Sequence, residues 1–131
     1  MVIQVLYEWN EAWPEKGILH VEGRFMGKTF GGEISISPTL AKRRANGYLS
    51  MDVAMAIVAD DPVLVWDERP VWRLLAHLLL PDWGRIAQVG TVDVDAMTGD
   101  VVPLSPSQIS EMQQRANDLA TRLAPDPAPA I

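Results

Sequence analysis

The sequence predicts an α+β fold: a curled, mostly antiparallel sheet of about six strands packed around a central helix, followed by a C-terminal amphipathic helix. Apolar and polar residues alternate through much of the first 36 residues and again from residue 84 to residue 96, as in strands with one buried face. Two Ser-Pro pairs, Ser37-Pro38 and Ser105-Pro106, mark helix starts, because serine is a favoured N-cap and proline a favoured first helical residue.

Three strands are predicted before the first Ser-Pro pair, over residues 2–9, 18–25 and 29–36. Residues 26–28 supply a turn between the second and third strands. The Gly31-Gly32 pair indicates a bulge or bend within the third strand. These strands together predict an antiparallel meander.

The central helix is predicted to begin at Pro38 and to extend to about residue 58. Its first half is polar, whereas residues 53–58 are apolar on nearly every face and must be deeply buried. The sequence Asp60-Asp61-Pro62 ends the helix, because the residue before a proline is disfavoured in helical conformation.

Residues 63–81 fit two structures. Four leucines, at positions 74, 75, 78 and 79, fit one helical face, and leucine is a good helix former. Pro70 and Pro81 bound a run that also fits a continuous buried strand. On propensity alone, the pattern favours a helix.

The last third predicts a strand over residues 84–96, a turn at 97–100 and a short hairpin arm at 101–102. A helix then follows over residues 105–124, opened by the capping box that Ser105 and Gln108 can form. Its apolar residues form one narrow stripe, which we expect to pack onto the domain or onto a partner. The stripe consists of Ile109, Met112, Ala116, Leu119 and Leu123.

Length and composition limit the classes of function. The 131 residues correspond to about one domain, which we assign to residues 1–124, with a flexible tail of proline and alanine at 125–131. A net charge of −6 disfavours binding to nucleic acid or to anionic membranes. The absence of cysteine excludes disulfides and thiolate metal sites. Because the first ten residues lack a basic, apolar leader pattern, we expect a cytoplasmic protein.

Two segments resemble the closing strands of a PepSY-type domain: residues 70–73, Pro-Val-Trp-Arg, and residues 89–101. In that family a strand containing Trp or Tyr precedes one ending in V-D-A-x-T-G-[ED]-V, which residues 94–101 match. The resemblance covers residues 38–103. It implies a strand at 70–80, against the propensity, and we adopt this strand because the bounding prolines and the buried pattern permit it. The resemblance also implies a role in regulating or inhibiting peptidases.

The motif at residues 95–100 also has a local physical explanation. The side chains of Asp95 and Thr98 can accept backbone N–H groups of the turn, and Gly99 permits a positive φ. We therefore interpret Asp95, Thr98 and Gly99 as turn residues rather than catalytic ones.

The function predicted from these features is a non-catalytic protein-interaction module, in its most specific version an inhibitor or antitoxin-like partner of an enzyme. Residues 52–100 contain nine acidic and three basic side chains and so account for the whole net charge of −6. If this segment and the basic run 42–44 lay on opposite sides, the acidic side would steer a basic partner. The candidate contacts are acidic pairs and tryptophans near loops: Asp60, Asp61, Asp67, Glu68, Trp13 and Trp83.

Self-association is a further expectation. A homodimer would form through a sheet edge or through the apolar stripe of the last helix, with Met112 and Leu119 as contacts.

Two alternatives remain open at this point. One is a small-ligand sensor with a pocket lined by tryptophan, and the other is a small hydrolase that uses the acidic pairs. No metal or cofactor is predicted, because Asp93, Asp95 and Asp100 lack the order of a calcium loop. The two histidines, His20 and His77, lie on different predicted elements without a nucleophile motif.

Overall fold

A computed structural model describes residues 3–5, 17–66 and 68–123. Within them, the α+β class, the antiparallel pairing and the C-terminal helix are confirmed. The elements are β1 (Ile3–Val5), β2 (Leu19–Phe25), β3 (Lys28–Ile34), α1 (Pro38–Tyr48), β4 (Ile57–Ala59), β5 (Val63–Trp66), β6 (Pro70–Leu80), β7 (Gly84–Asp95) and α2 (Pro106–Leu123). Trp13, Asp67 and the tail at 125–131 lie outside the described residues.

The long strand β6 organises the main sheet. Strand β7 pairs along one edge of β6, and β4 and β5 pair end to end along the other, with β1 beyond β5. The N–H of Asp60 donates to the Leu75 carbonyl at 2.8 Å between the two short strands. Pro62 has no N–H to continue this ladder. Strands β4 and β5 therefore act as one strand with a break between them.

The hairpin of β2 and β3 forms a second sheet. The single curled sheet and the three-strand meander predicted from the sequence are therefore wrong, because β1 pairs with β5 of the main sheet. The two-residue loop of the hairpin has positive φ at both Met26 (50°) and Gly27 (78°), as in the type I′ turns that suit the twist of paired strands. The bulge predicted at Gly31-Gly32 is wrong, because pairing with β2 is regular through both glycines. The Trp66 ring instead packs so closely that a Cβ on Gly32 would lie 3.1 Å from it.

The core lies on one side of the main sheet. Its largest fully buried side chain is Trp72, whose indole N–H donates to the Ile36 carbonyl at 2.7 Å. Both helices contribute small or flexible side chains to the same core, and α2 approaches β7 closely because Gly90 has no side chain there. A Cβ on Gly90 would lie 2.9 Å from Met112. The core residues contributed by the helices are Ala41, Ala45, Met112 and Ala116.

The helix predicted from Pro38 to about residue 58 is wrong in its second half. Helix α1 ends at Tyr48, a π-helical turn spans Leu49–Val53, and Ala54 is extended with φ −168° and ψ 145°. The β-branched residues Ile57 and Val58 then belong to β4 and pair with β6. Pairing with a neighbouring strand explains why this segment is buried without being helical.

Residues 63–81 form strands β5 and β6, so the helix favoured by propensity is wrong. Strand β6 is paired along both edges, and this pairing outweighs the helix propensity of its leucines. The strand implied at 70–80 is the one observed.

Helix α2 begins as predicted. The Ser105 hydroxyl accepts the Gln108 N–H at 3.2 Å, and the Gln108 side chain accepts the Ser105 N–H at 2.8 Å, which is the reciprocal pattern of a capping box. The arm expected at 101–102 is reduced to a single bridge between Val94 and Val101.

Candidate binding face on the helix-free side of the sheet

Both helices pack on the same side of the main sheet, which leaves its other side without a covering helix in the described residues. We call this side the outer face. Its side chains alternate along β6 and β7 with the core residues, because successive strand residues point to opposite sides. The outer face comprises Val58, Asp60, Val63, Val65, Arg69, Val71, Arg73, Leu75, His77, Leu79, Arg85, Gln88, Thr91, Asp93 and Asp95. Val65 among them is buried, at 4% exposure.

Two leucines lie along the central strand of the outer face. Leu75 is 39% exposed and Leu79 is 40% exposed. The other exposed large apolar side chains of the described residues lie in turns, loops or the π-helical turn. Scattered exposed apolar residues are normal, but a row within a sheet is typical of a binding surface.

A shallow hollow of about 370 Å³ adjoins Leu75. It lies where the break between β4 and β5 removes a regular strand from the edge of β6. Its lining is partly apolar and partly charged, and consists of Asp60, Asp61, Val63, Val65, Arg73 and Leu75. The outer face thus has both a protruding leucine row and a recess beside it.

Ion pairs within the chain neutralise the charges at one end of the outer face. Arg73 and Asp93 are directly paired across β6 and β7, with Nε–Oδ1 at 2.9 Å and Nη2–Oδ2 at 3.0 Å. Arg69 contacts Asp95 with Nη2–Oδ2 at 2.7 Å. A bidentate arginine–carboxylate contact, like that of Arg73 with Asp93, holds both side chains in a fixed geometry.

A second group of charges lies at the other end. The Arg85 guanidinium donates to Asp60 Oδ1, and His77 Nδ1 lies 4.0 Å from Asp60 Oδ2. That nitrogen is buried and has no hydrogen-bond partner among the described residues. Partial burial by itself raises the pKa of the Asp60 carboxyl, but the Asp61 N–H, the Arg85 guanidinium and His77 together hold that pKa below its ordinary value.

This lowered pKa predicts a pH dependence of stability. Since the folded state holds Asp60 ionised more strongly than the unfolded state, its contribution is present above the ordinary pKa of 3.8 and is lost as pH falls below that value. Asp60→Asn is expected to flatten the fall in unfolding free energy between pH 5 and pH 3 by less than about 1 kcal/mol. Denaturant unfolding at both pH values measures this. Asp118→Asn on α2 is the charge-matched control, and equal slopes for wild type and Asp60→Asn would contradict the assignment.

The structure places the acidic candidates differently from the sequence hypothesis. Asp60 is engaged with Arg85, and Asp61 pairs with Lys42 at 2.9 Å. The condition for steering a basic partner, that the basic run and the acidic segment lie on opposite sides, is therefore not met at this contact. Glu68 is exposed. With these acids paired inside the chain, the attraction expected for a basic partner is weaker than the charge count suggested.

The apolar residues predicted as partner contacts differ in their exposure. Trp83 is 58% exposed in the turn between β6 and β7, whereas Met112 is only 4% exposed and belongs to the core. Leu119 is partly buried against that core. Met112 as a partner contact is therefore wrong in this fold, because the stripe of α2 already packs on its own domain.

Asp95, Thr98 and Gly99 form the local turn that the sequence predicts. The Asp95 Oδ1 accepts the N–H groups of Met97 at 2.8 Å and Thr98 at 3.0 Å. The Thr98 hydroxyl accepts the Asp100 N–H at 3.2 Å, and Gly99 has a φ of 82°. These contacts are structural, and Asp95 additionally ties the turn to Arg69.

The hairpin carries another hollow, of about 770 Å³, whose aromatic lining residue is Phe30. Tryptophan does not line it, so it does not supply the pocket of the ligand-sensor alternative. His20 contacts Glu22 there, with 2.9 Å between Nε2 and Oε1, and both side chains are largely exposed. Among the described residues, there is no group of three or more His, Cys, Asp or Glu that could hold a metal ion.

Sequence reasoning missed the residues that form the outer face, above all Leu75, Leu79 and Arg73. The available signal was the alternation of Arg73 and His77 with buried residues in a run of leucines, which fits a strand with one polar face.

Comparison of the chain with known protein families, curated proteins and solved structures finds no match. Within the described residues, neither helix has the length and apolarity that crossing a membrane requires. The outer face is therefore the feature of this protein from which a function can be inferred.

Proposed function

We propose that the protein is a non-catalytic protein-interaction module that uses the outer face to bind an apolar, electroneutral protein surface. The observation that carries this proposal is the pair of exposed leucines, Leu75 and Leu79, in the centre of a sheet whose opposite side holds both helices. A sheet face covered by solvent normally presents polar side chains at such positions.

The leucines supply a favourable energy for association. A fully buried leucine is worth about 1.5–3 kcal/mol relative to an exposed one, and each of these two retains about 40% of its exposure. Covering both would therefore contribute about 2 kcal/mol, and the flanking valines Val63 and Val71 add to it. These contacts would form the apolar centre of an interface with a charged rim.

The paired charges of the outer face favour a partner surface that is apolar and uncharged. The charged groups of the outer face that the structure describes are engaged with each other in ion pairs. A strongly basic or acidic partner would have to break such pairs before its own charges could bind the freed side chains. An apolar, uncharged surface would leave the pairs intact. An enzyme that lost activity when bound would make this protein an inhibitor, the version that the PepSY-type resemblance implies.

Affinity capture from native cell extract tests the proposal when three baits are compared: wild type, Leu75→Glu and Met51→Glu. Met51 is 84% exposed in the π-helical turn and provides the same charge change away from the outer face. We expect wild type and Met51→Glu to retain a stoichiometric protein, either a second copy or another chain, at both low and high salt.

Leu75→Glu should lose that protein while remaining folded by circular dichroism. The proposal fails if wild type retains neither a second copy nor another protein. It also fails if Leu75→Glu binds as well as wild type, or if moderate salt alone releases the bound protein, since binding would then depend on exposed charges.

A further inference from the structure

We propose that the partner of the outer face is a second copy of this chain, so that the protein forms a two-fold symmetric dimer by stacking sheet on sheet. This inference rests on the proposed function, and it specifies the partner. In a two-fold interface the same patch serves both copies, so the patch must be complementary to itself. The charge, layout and area of the outer face support this self-complementarity. The edges of β7 and β4 are less suited to pairing with a second copy.

Charge gives the first argument. Two copies that each carry −6 repel one another over most of their surfaces. On the outer face, however, three arginines are matched by three aspartates in contact with them: Arg69 with Asp95, Arg73 with Asp93, and Arg85 with Asp60. The formal charge of this face is zero. It is therefore a place where two acidic copies can meet without net repulsion.

The layout of the face along β6 gives the second argument. Leu75 lies midway between the pair at Arg73 and the group around His77. A two-fold axis near Leu75 turns β6 of the second copy antiparallel to that of the first. The Arg73–Asp93 pair of each copy then faces the group around His77 of the other, Leu75 meets Leu75, and Leu79 lies over Val71.

The area fits a weak, reversible dimer. Strand β6 extends about 26 Å from Val71 to Leu79, and along this length it has β7 on one edge and β4 or β5 on the other, so that three strands span about 14 Å. Each copy would thus contribute about 370 Å², or about 740 Å² in total, which is in the range of weak, transient interfaces. We expect a dissociation constant in the micromolar range.

The edges of the main sheet at β7 and β4 are poorly suited to the same role. Strand β7 contains register shifts opposite Ala76–Leu79, and bulges hinder edge-to-edge pairing. Three of its backbone groups are already bonded: Arg115 donates to the Val89 carbonyl at 3.3 Å, Val102 donates to the Asp93 carbonyl at 2.9 Å, and the Asp95 N–H donates to Asp100 at 2.8 Å. Asn46 likewise accepts the Ala59 N–H of β4 at 2.8 Å.

Sedimentation velocity over about 1 to 200 µM tests the dimer directly. Wild type is expected to approach twice the 14.5 kDa chain mass as concentration rises. Leu75→Glu places a charge on each copy at the axis and is expected to weaken the dimer at least about 100-fold. Met51→Glu, with the same charge change elsewhere, should behave as wild type. If Leu75→Glu does not fold, Leu79→Glu carries the test.

A wild-type protein that stays monomeric throughout this range overturns the dimer, and so does a dimer that Leu75→Glu leaves unchanged. Such a result is separable from failure of the proposed function. A monomer from which native extract yields a different protein, retained by wild type and lost with Leu75→Glu, rejects the second copy and keeps the binding face. A monomer that retains nothing rejects both.

Discussion

Replacing Trp72 with alanine is expected to lower the free energy of unfolding by about 4 kcal/mol. Trp72 is fully buried and lies on β6, the strand that pairs with β4, β5 and β7. Its removal opens a cavity that the surrounding side chains can fill only in part. It also removes the donor to the Ile36 carbonyl, the contact that ties the segment before α1 to the sheet.

The two contributions can be separated by a second variant. Trp72→Phe keeps an aromatic ring but leaves the Ile36 carbonyl without its indole donor, and is expected to cost about 1–3 kcal/mol from that group in addition to the lost volume. Urea unfolding followed by circular dichroism measures both variants. Because domains of this size are stable by about 5–15 kcal/mol, Trp72→Ala should unfold at markedly lower urea.

Trp83→Ala is the matched control within the same hairpin. Since Trp83 is exposed, the same chemical change should alter stability by less than about 1 kcal/mol. Equal losses for the two tryptophans would contradict the packing described for Trp72. They would mean that the turn of the β6–β7 hairpin depends on its exposed ring as much as the core depends on the buried one.

The two tryptophans illustrate which parts of the fold can be predicted from the sequence. Alternation along residues 18–36 and 84–96 and the capping box at Ser105 depend on local periods and local hydrogen bonds, and the structure contains the corresponding elements. Which tryptophan is buried is not a local property. Trp72 is buried because β6 is central in the sheet. No single segment of the sequence determines the order of the strands in a sheet.

The helix wrongly predicted at residues 53–58 and the helical propensity that residues 74–80 do not follow have the same physical origin. Residues 53–58 and 74–80 contain alanine, methionine and leucine, whose intrinsic preference is helical. In the folded chain each run pairs with the other: Ile57 lies opposite Leu78 and Ala59 opposite Ala76. A pairing across about 20 residues of chain outweighs a preference of a few tenths of a kcal/mol per residue.

The outer face could not be predicted from the sequence for a related reason. A one-residue change in register moves every side chain of a strand to the opposite side of its sheet, so Leu75 becomes a surface residue only once β6 is paired with its neighbours. The ion pair of Arg73 with Asp93 likewise joins residues 20 positions apart. The acidic count of the middle segment was correct, yet it did not reveal which acids were neutralised.

Met112→Asp is expected to have the largest effect of any single change considered, at least about 5 kcal/mol. Met112 is buried between α2 and β7, against the bare backbone of Gly90. The substitution removes apolar volume, which costs about 2–5 kcal/mol by itself. It also places a short carboxyl where it cannot reach water, and burial of an unpaired charge adds further cost.

A matched control lies on the same helix. Gln114 is exposed two residues further along α2, and Gln114→Asp introduces the same carboxyl with an expected effect of at most about 1 kcal/mol. Thermal and urea unfolding of the two variants, with Met112→Ala as the size control, separate charge from volume. Equal stabilities of Met112→Asp and Gln114→Asp would mean that α2 does not pack on β7 as described.

The pH dependence identifies the charge contribution. A buried carboxyl has a raised pKa in the folded state, so folding takes up a proton and the deficit of Met112→Asp relative to Met112→Ala should shrink as pH falls toward 4. Loss of the fold and loss of the outer face also give different results in the test of the proposed dimer. A Met112→Asp protein that stays monomeric has lost the fold that forms the outer face, whereas a folded Leu75→Glu protein that stays monomeric has lost the face alone. Only the second result tests the proposed interface.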